Sequence, residues 1–232
     1  VKKIAENILL WLAVNVLAIC VVVFVELSEV QKPSWWPIFY SIAINVLTGG
    51  LVSFFFYWLV VYLPEQRKRS IIKNSLLRTY KNIKRDILRE VIFASVKGGR
   101  HDLQADTETI ATLMSVDGFR RAFDGGRESD EGFYAFENQM SDDTPEFRAI
   151  ILNFEYLAKQ IEFVLHNYTM NDQKIFDFFK RLELILIGLR QASSGYDESK
   201  PLCRFIYEIF SGFSLIDGYR GYDYVEKMIK DI

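Results

Sequence analysis

The chain has 232 residues, of which 50% are hydrophobic, 15% aromatic and 25% charged, with a formal net charge of −2. Apolar residues are plentiful and there are only two cysteines, which excludes a disordered tail, a collagen-like repeat and a disulfide scaffold. The near-neutral total hides a split: residues 1–99 carry 13 Lys/Arg against 6 Asp/Glu, a net +7, while residues 100–232 carry 15 against 24, a net −9. A basic, apolar first part joined to an acidic second part predicts a membrane anchor followed by a soluble domain.

Two uncharged runs open the chain. Ile8 to Val25 holds Asn15 as its one strongly polar residue, and Pro37 to Leu63 is longer still. About 20 apolar residues cross a hydrocarbon core of roughly 30 Å as a helix, so both runs suffice. A cleaved signal peptide is the competing reading of the first run, but that run ends in Val23-Phe-Val-Glu26 with no Ala-x-Ala pattern. The expectation is a two-helix transmembrane hairpin over residues 1–65. Lys2 and Lys3 precede it, Arg67, Lys68, Arg69 and Lys73 follow it, and the loop from Glu26 to Trp36 holds one Lys against two Glu. Positive charge in short loops stays on the cytoplasmic side, so both termini are expected there. Trp35 and Trp36 at the outer rim, with Trp11 and Trp58 near the inner ends, suit interfacial belts.

The second run carries a stripe, Ser41, Asn45, Gly49 and Ser53, at four-residue spacing. Such small and hydroxyl residues on one helix face let another helix approach closely. Packing against the first helix of the same chain explains part of it, since Asn15 lies near the level of Ser53 and can pair with it. Asn45 lies level with Ala18 and Ile19, which offer no partner. An unpaired carboxamide in hydrocarbon costs several kcal/mol, so Asn45 is expected to meet another copy of the protein or pore water.

Beyond Pro64 a helical period returns through Ile72, Leu76, Tyr80, Ile83, Ile87 and Val91, with Lys and Arg on the other faces. This predicts a basic stalk helix over 66–99, ending at Gly98-Gly99, whose cations either face anionic headgroups or are simply solvated. Residues 100–143 are acidic and Gly-rich. They predict mostly loop, with one short helix capped by Asp106 or Thr107 and another from Phe119 to Phe123. The region 144–232 predicts four helices: one capped by Thr144 with Pro145 at its first position and running to about Asn167, one capped by Asn171 over about 172–191, and two over 199–212 and 222–231. The fold class expected is all-α: the hairpin, the stalk helix and a cytoplasmic helical bundle rich in Phe and Tyr.

Chemistry-bearing patterns are sparse. Cys20 and Cys203 lack zinc spacing and are placed too differently to bridge. Glu162 and His166 share a helix face at metal-compatible spacing, which a polar surface pair explains as well. Nucleotide-binding glycine loops and serine-nucleophile motifs are missing, and neither histidine completes the Arg-x4–6-His pattern that many small helical ribonucleases carry. No cofactor, metal or enzyme activity is expected. Gly98-Gly99-Arg100, and the similar Asp124-Gly-Gly-Arg127, can hold an anion through consecutive N–H groups beside a guanidinium, although loop glycines ending helices account for both. Direct nucleic-acid binding by the distal part is disfavoured by its −9 balance.

Taken over the whole chain, the two spans, the polar stripe, the basic helix and the helical domain resemble the two-transmembrane effectors of bacterial anti-phage defence systems, the retron-associated type among them. The segments Ile150 to Ala158 and Phe176 to Glu183 are also similar to membrane-anchored helical domains of unassigned activity. The first resemblance implies an inner-membrane toxin that assembles and permeabilises the membrane when triggered through its cytoplasmic domain, with a reverse transcriptase and its nucleic acid as partners. The alternative is a tether whose helical domain is a scaffold or sensor for a cytosolic protein, binding through residues 115–143.

Overall fold

The computed structural model describes residues 2–28, 30–123, 132–170, 172–214 and 216–232, and it is all-α apart from one small ribbon among those residues. The chain divides into two compact units, Val1–Ser70 and Ile71–Ile232.

In the first unit, α1 (Lys2–Leu27) packs beside α2 (Trp36–Tyr57). Both helical runs contain windows long and apolar enough to cross a membrane, and neither window buries any residue within the chain. Trp11, Leu17, Phe24, Ile38, Val46 and Phe56 all lie open. So much exposed apolar surface is foreign to a water-facing hairpin. The turn between the helices is locked by Glu26, whose carboxylate accepts from Trp36 Nε1 at 2.5 Å and pairs with Lys32 at 3.2 Å. After α2 the helix widens into a π turn, Trp58–Tyr62, before α3 (Leu63–Lys97). Pro64 supplies the cause. It has no N–H for the Val60 carbonyl and its ring presses on that group, so the turn before it opens and Leu63 N–H reaches back to the Trp58 carbonyl.

The second unit is built around the remainder of α3. The period read from sequence is its buried face: Leu76, Tyr80, Ile83, Ile87 and Val91 are buried, together with Leu88, Ile92 and Ala94. From Leu76 onward this basic helix is therefore a core helix, and Lys84, expected on a solvated face, is only 2% exposed. Around it lie α4 (Thr107–Leu113), α5 (Val116–Ala122), α6 (Tyr134–Gln139), α7 (Pro145–Asn167), α8 (Gln173–Leu189) and α9 (Lys200–Ser211). A short antiparallel ribbon, β1 (Phe213–Ser214) with β2 (Gly218–Tyr219), leads to α10 (Tyr224–Lys230).

Side-chain oxygens start most of these helices by accepting orphan N–H groups. Asp106 accepts from Thr109 N at 2.8 Å, Ser115 from Gly118 N at 3.0 Å and Thr144 from Phe147 N at 3.2 Å. Two boundaries shift for this reason. Helix α5 begins ahead of Phe119 because Ser115 caps it, and α8 is capped by Asp172, which accepts from Lys174 N at 2.8 Å. The expected cap Asn171 lies outside the described residues.

Helix α6 was not foreseen, and the stretch read mainly as loop supplies much of the core. Phe119, Phe123, Phe133 and Phe136 are fully buried and pack on one another, Phe119 also meeting Phe210 and Tyr207 and Phe133 meeting Tyr207, with ring centroids 4.7 to 6.2 Å apart. Such tilted and edge-on pairs add about 0.5–1.5 kcal/mol each beyond area burial. In α8 the inward set is Ile175, Phe179, Leu182, Leu186 and Leu189, whereas Phe176 and Ile185 stay exposed.

Candidate functional site

The polar groups of the apolar helices separate into two sets. Asn15 faces α2, but it meets Gly50: a Cβ there would stand 2.7 Å from Asn15 Nδ2. The expected Asn15–Ser53 pair does not form. Ser53 is exposed, and Asn15 Oδ1 is buried without a hydrogen-bond partner. Gly50, missing from the sequence-read stripe, is the residue that admits the carboxamide. It sits one position from Gly49, and only the register of the two helices distinguishes them.

Ser41, Asn45, Gly49 and Ser53 occupy a different face. All four are exposed, while Tyr40, Ala43, Ile44, Leu47, Leu51 and Phe54 are partly covered. Gly49 has nothing within 4 Å of a Cβ position, and the Asn45 side chain makes no hydrogen bond with any described residue. The stripe thus offers a carboxamide and two hydroxyls on a face that the described residues leave exposed.

Among the basic residues, Arg67 and Lys68 are exposed, Arg69 lies 4.0 Å from Glu65, and Lys73 donates to the Lys230 carbonyl. At the end of α3 the glycines serve the helix terminus. Gly98, Gly99 and Arg100 N–H groups donate to the carbonyls of Ala94, Val96 and Ser95 at 2.9, 3.1 and 2.9 Å, with Gly99 at a φ of 107° that a side chain would strain. A Cβ on Gly98 would lie 2.2 Å from the Ala135 carbonyl oxygen. Arg100 turns inward. It grips Asp102 with two 2.8 Å bonds, donates to the Ala122 carbonyl at 2.9 Å, and lies over the Phe123 ring. These bonds hold the Asp102 carboxyl below its usual range. The donors that would cradle an anion are thus engaged within the protein. The Asp124–Arg127 piece lies outside the described residues.

A buried polar cluster sits on α3, outside every motif read from the sequence. Asp223 accepts from Tyr80 Oη and from Lys84 Nζ, each at 2.7 Å, and also caps α10 through Glu226 N at 3.0 Å. Burial, then the Asp223 charge, pushes the Tyr80 phenol well above its ordinary value, so it stays a donor. Lys84 also lies 5.3 Å from the Phe210 ring centre. One signal was available: Lys84 is four residues from both Tyr80 and Leu88, on the apolar face. Both carboxylate oxygens of Asp223 accept hydrogen bonds from within its own chain, and the cluster fastens α10 to α3. His166 Nδ1 meets the Glu162 backbone oxygen at 2.9 Å, and among the described residues no group of three metal-binding side chains gathers.

Comparison of the chain with protein-family models, with curated proteins and with solved structures finds no match in any of the three.

Proposed function

We propose that this chain is a membrane-anchored effector. It inserts through α1 and α2 into a bacterial inner membrane with both termini cytoplasmic, self-assembles through the α2 polar stripe, and permeabilises the bilayer when its cytoplasmic domain is triggered. Anti-phage defence of the retron-associated kind is the setting this reading favours, with a cytosolic protein partner as trigger; a reverse transcriptase with its nucleic acid fills that role if the setting is right. The observation that carries it is Asn45: exposed on an apolar helix, in line with Ser41, Gly49 and Ser53, and without a partner. In hydrocarbon such a group gains most from a second copy or from water in a pore.

Induced expression of Asn45→Leu tests it. The variant should insert normally yet lose membrane depolarisation and dye uptake. Equal leakage from the variant and the parent, or intact membranes on expression of the parent, would overturn the reading. Under the tether alternative Asn45→Leu is silent. Deleting residues 115–143 does not test that alternative cleanly, because Phe119, Phe123, Phe133 and Phe136 would leave the core with them.

A further inference from the structure

Helix α7 is apolar on two opposite sides. Its core side is Ile150, Phe154, Leu157 and Ile161; at 3.6 residues per turn, exposed Leu152, Tyr156 and Phe163 lie about 160° round the helix from it. A helix apolar on both sides is packed on both sides, or it leaves a surface waiting for a partner. Beside this ridge stand Glu155 and exposed Glu162, two turns apart. Glu162 has no ion-pair partner among the described residues, and Glu155 is held by Lys159 at 2.9 Å and Arg190 at 3.8 Å.

The same unit holds a complementary feature. Between α8, α9 and the ribbon runs an open groove of about 960 Å³, with apolar walls from Phe178, Leu182, Ile185, Phe205 and Ile209. Ile216, at the ribbon tip, is 93% exposed. Lys174 and Arg181 edge the groove on the α8 stripe Lys174, Phe178, Arg181, Ile185, and neither side chain has a partner among the described residues. Of the two carboxylates beside them, Glu208 is paired with Arg204 at 2.8 Å, while Asp177 accepts from the neutral Gln173 at 2.8 Å, keeps its charge and offsets one of the two cations. The unmatched charge of the groove is therefore positive, in a part of the chain whose balance is −9.

We propose that the α7 ridge of one copy docks in the α8–α9 groove of the next. Ridge and groove are each an apolar strip edged by charge of opposite sign: Glu162, without an ion-pair partner among the described residues, on the ridge, and Lys174 with Arg181 on the groove. The apolar strip supplies the affinity; the ion pairs set register and partner choice. Because ridge and groove are different surfaces, the contact is heterologous, the kind that closes into rings or extends into filaments. It is separate from the α2 stripe, and either can hold without the other.

Membranes containing the full-length chain test it by disulfide trapping in a Cys20→Ala background. Copies with Phe163→Cys and copies with Ile185→Cys should cross-link when co-expressed, and neither should do so alone. Glu162→Lys in the Phe163→Cys copies should cut the yield at least about tenfold, and Arg181→Glu or Lys174→Glu in the Ile185→Cys copies should restore it. All these positions are exposed, and helical content by circular dichroism checks that each variant folds. No mixed disulfide, a Phe163→Cys homodimer, capture of a different protein, or a yield indifferent to the charges would each overturn the proposal, whatever Asn45→Leu does.

Discussion

Asp223 illustrates how much one side chain can organise. It takes three donors, two from α3 and one from its own helix, at a site where Lys84 is nearly inaccessible. Removing one partner of such a buried pair leaves an uncompensated charge. Lys84→Met is therefore expected to cost about 3–5 kcal/mol, read from the urea midpoint of the Ile71–Ile232 unit. Two other groups contribute to the pH dependence. Glu226 is pushed up by burial, but Lys230 and Lys81 outweigh that and hold it below 4.5; its contribution is present above pH 4.5 and is lost as pH falls through the lowered value. Tyr80, raised above 10.0, contributes fully below pH 10.0, and that contribution is lost as pH rises through the raised value. The melting temperature should be level between these limits and fall on both sides, and Tyr80→Phe should flatten part of the alkaline limb.

For the elements, close approach decides more than propensity. Gly98 sits where α3 ends against α6, and an added methyl would overlap the Ala135 carbonyl. Gly98→Ala should destabilise by about 1–3 kcal/mol, as overpacking does. Gly188, inside α8 with nothing within 4 Å, makes the contrasting case: Gly188→Ala should stabilise by about 0.5–1 kcal/mol, and the two denaturation midpoints should move in opposite directions. The π turn before α3 follows from one residue. Pro64→Ala restores an N–H for the Val60 carbonyl, so the turn should close to α geometry, and amide exchange from Val61 to Leu63 should slow.

At the scale of the whole molecule, the second unit has one core, to which α3 contributes from Leu76 to Ala94 and α10 contributes Val225, Met228 and Ile229. A fragment over 71–232 should fold alone, with a cooperative thermal transition and dispersed amide resonances. A fragment over 144–232 should stay unfolded or aggregate, because it lacks Leu76, Ile87, Leu88, Val91 and Ile92 as well as the Phe119–Phe136 cluster. Finding 144–232 cooperatively folded would show that α3 merely covers a core complete without it.

The elements legible in the sequence are those specified by neighbours along the chain. Two uncharged runs give two long apolar helices, Thr144 with Pro145 starts α7, and the spacing of Leu76, Tyr80, Ile83 and Ile87 marks the buried face of α3. Tertiary structure alone decided that Asn15 meets Gly50 rather than Ser53, that Lys84 is buried, and that the Gly-rich middle carries the aromatic core. The physical reason is distance along the chain. Periods and caps act over three or four residues, but Lys84 finds Asp223 across 139 positions, and no local pattern encodes a partner that far away.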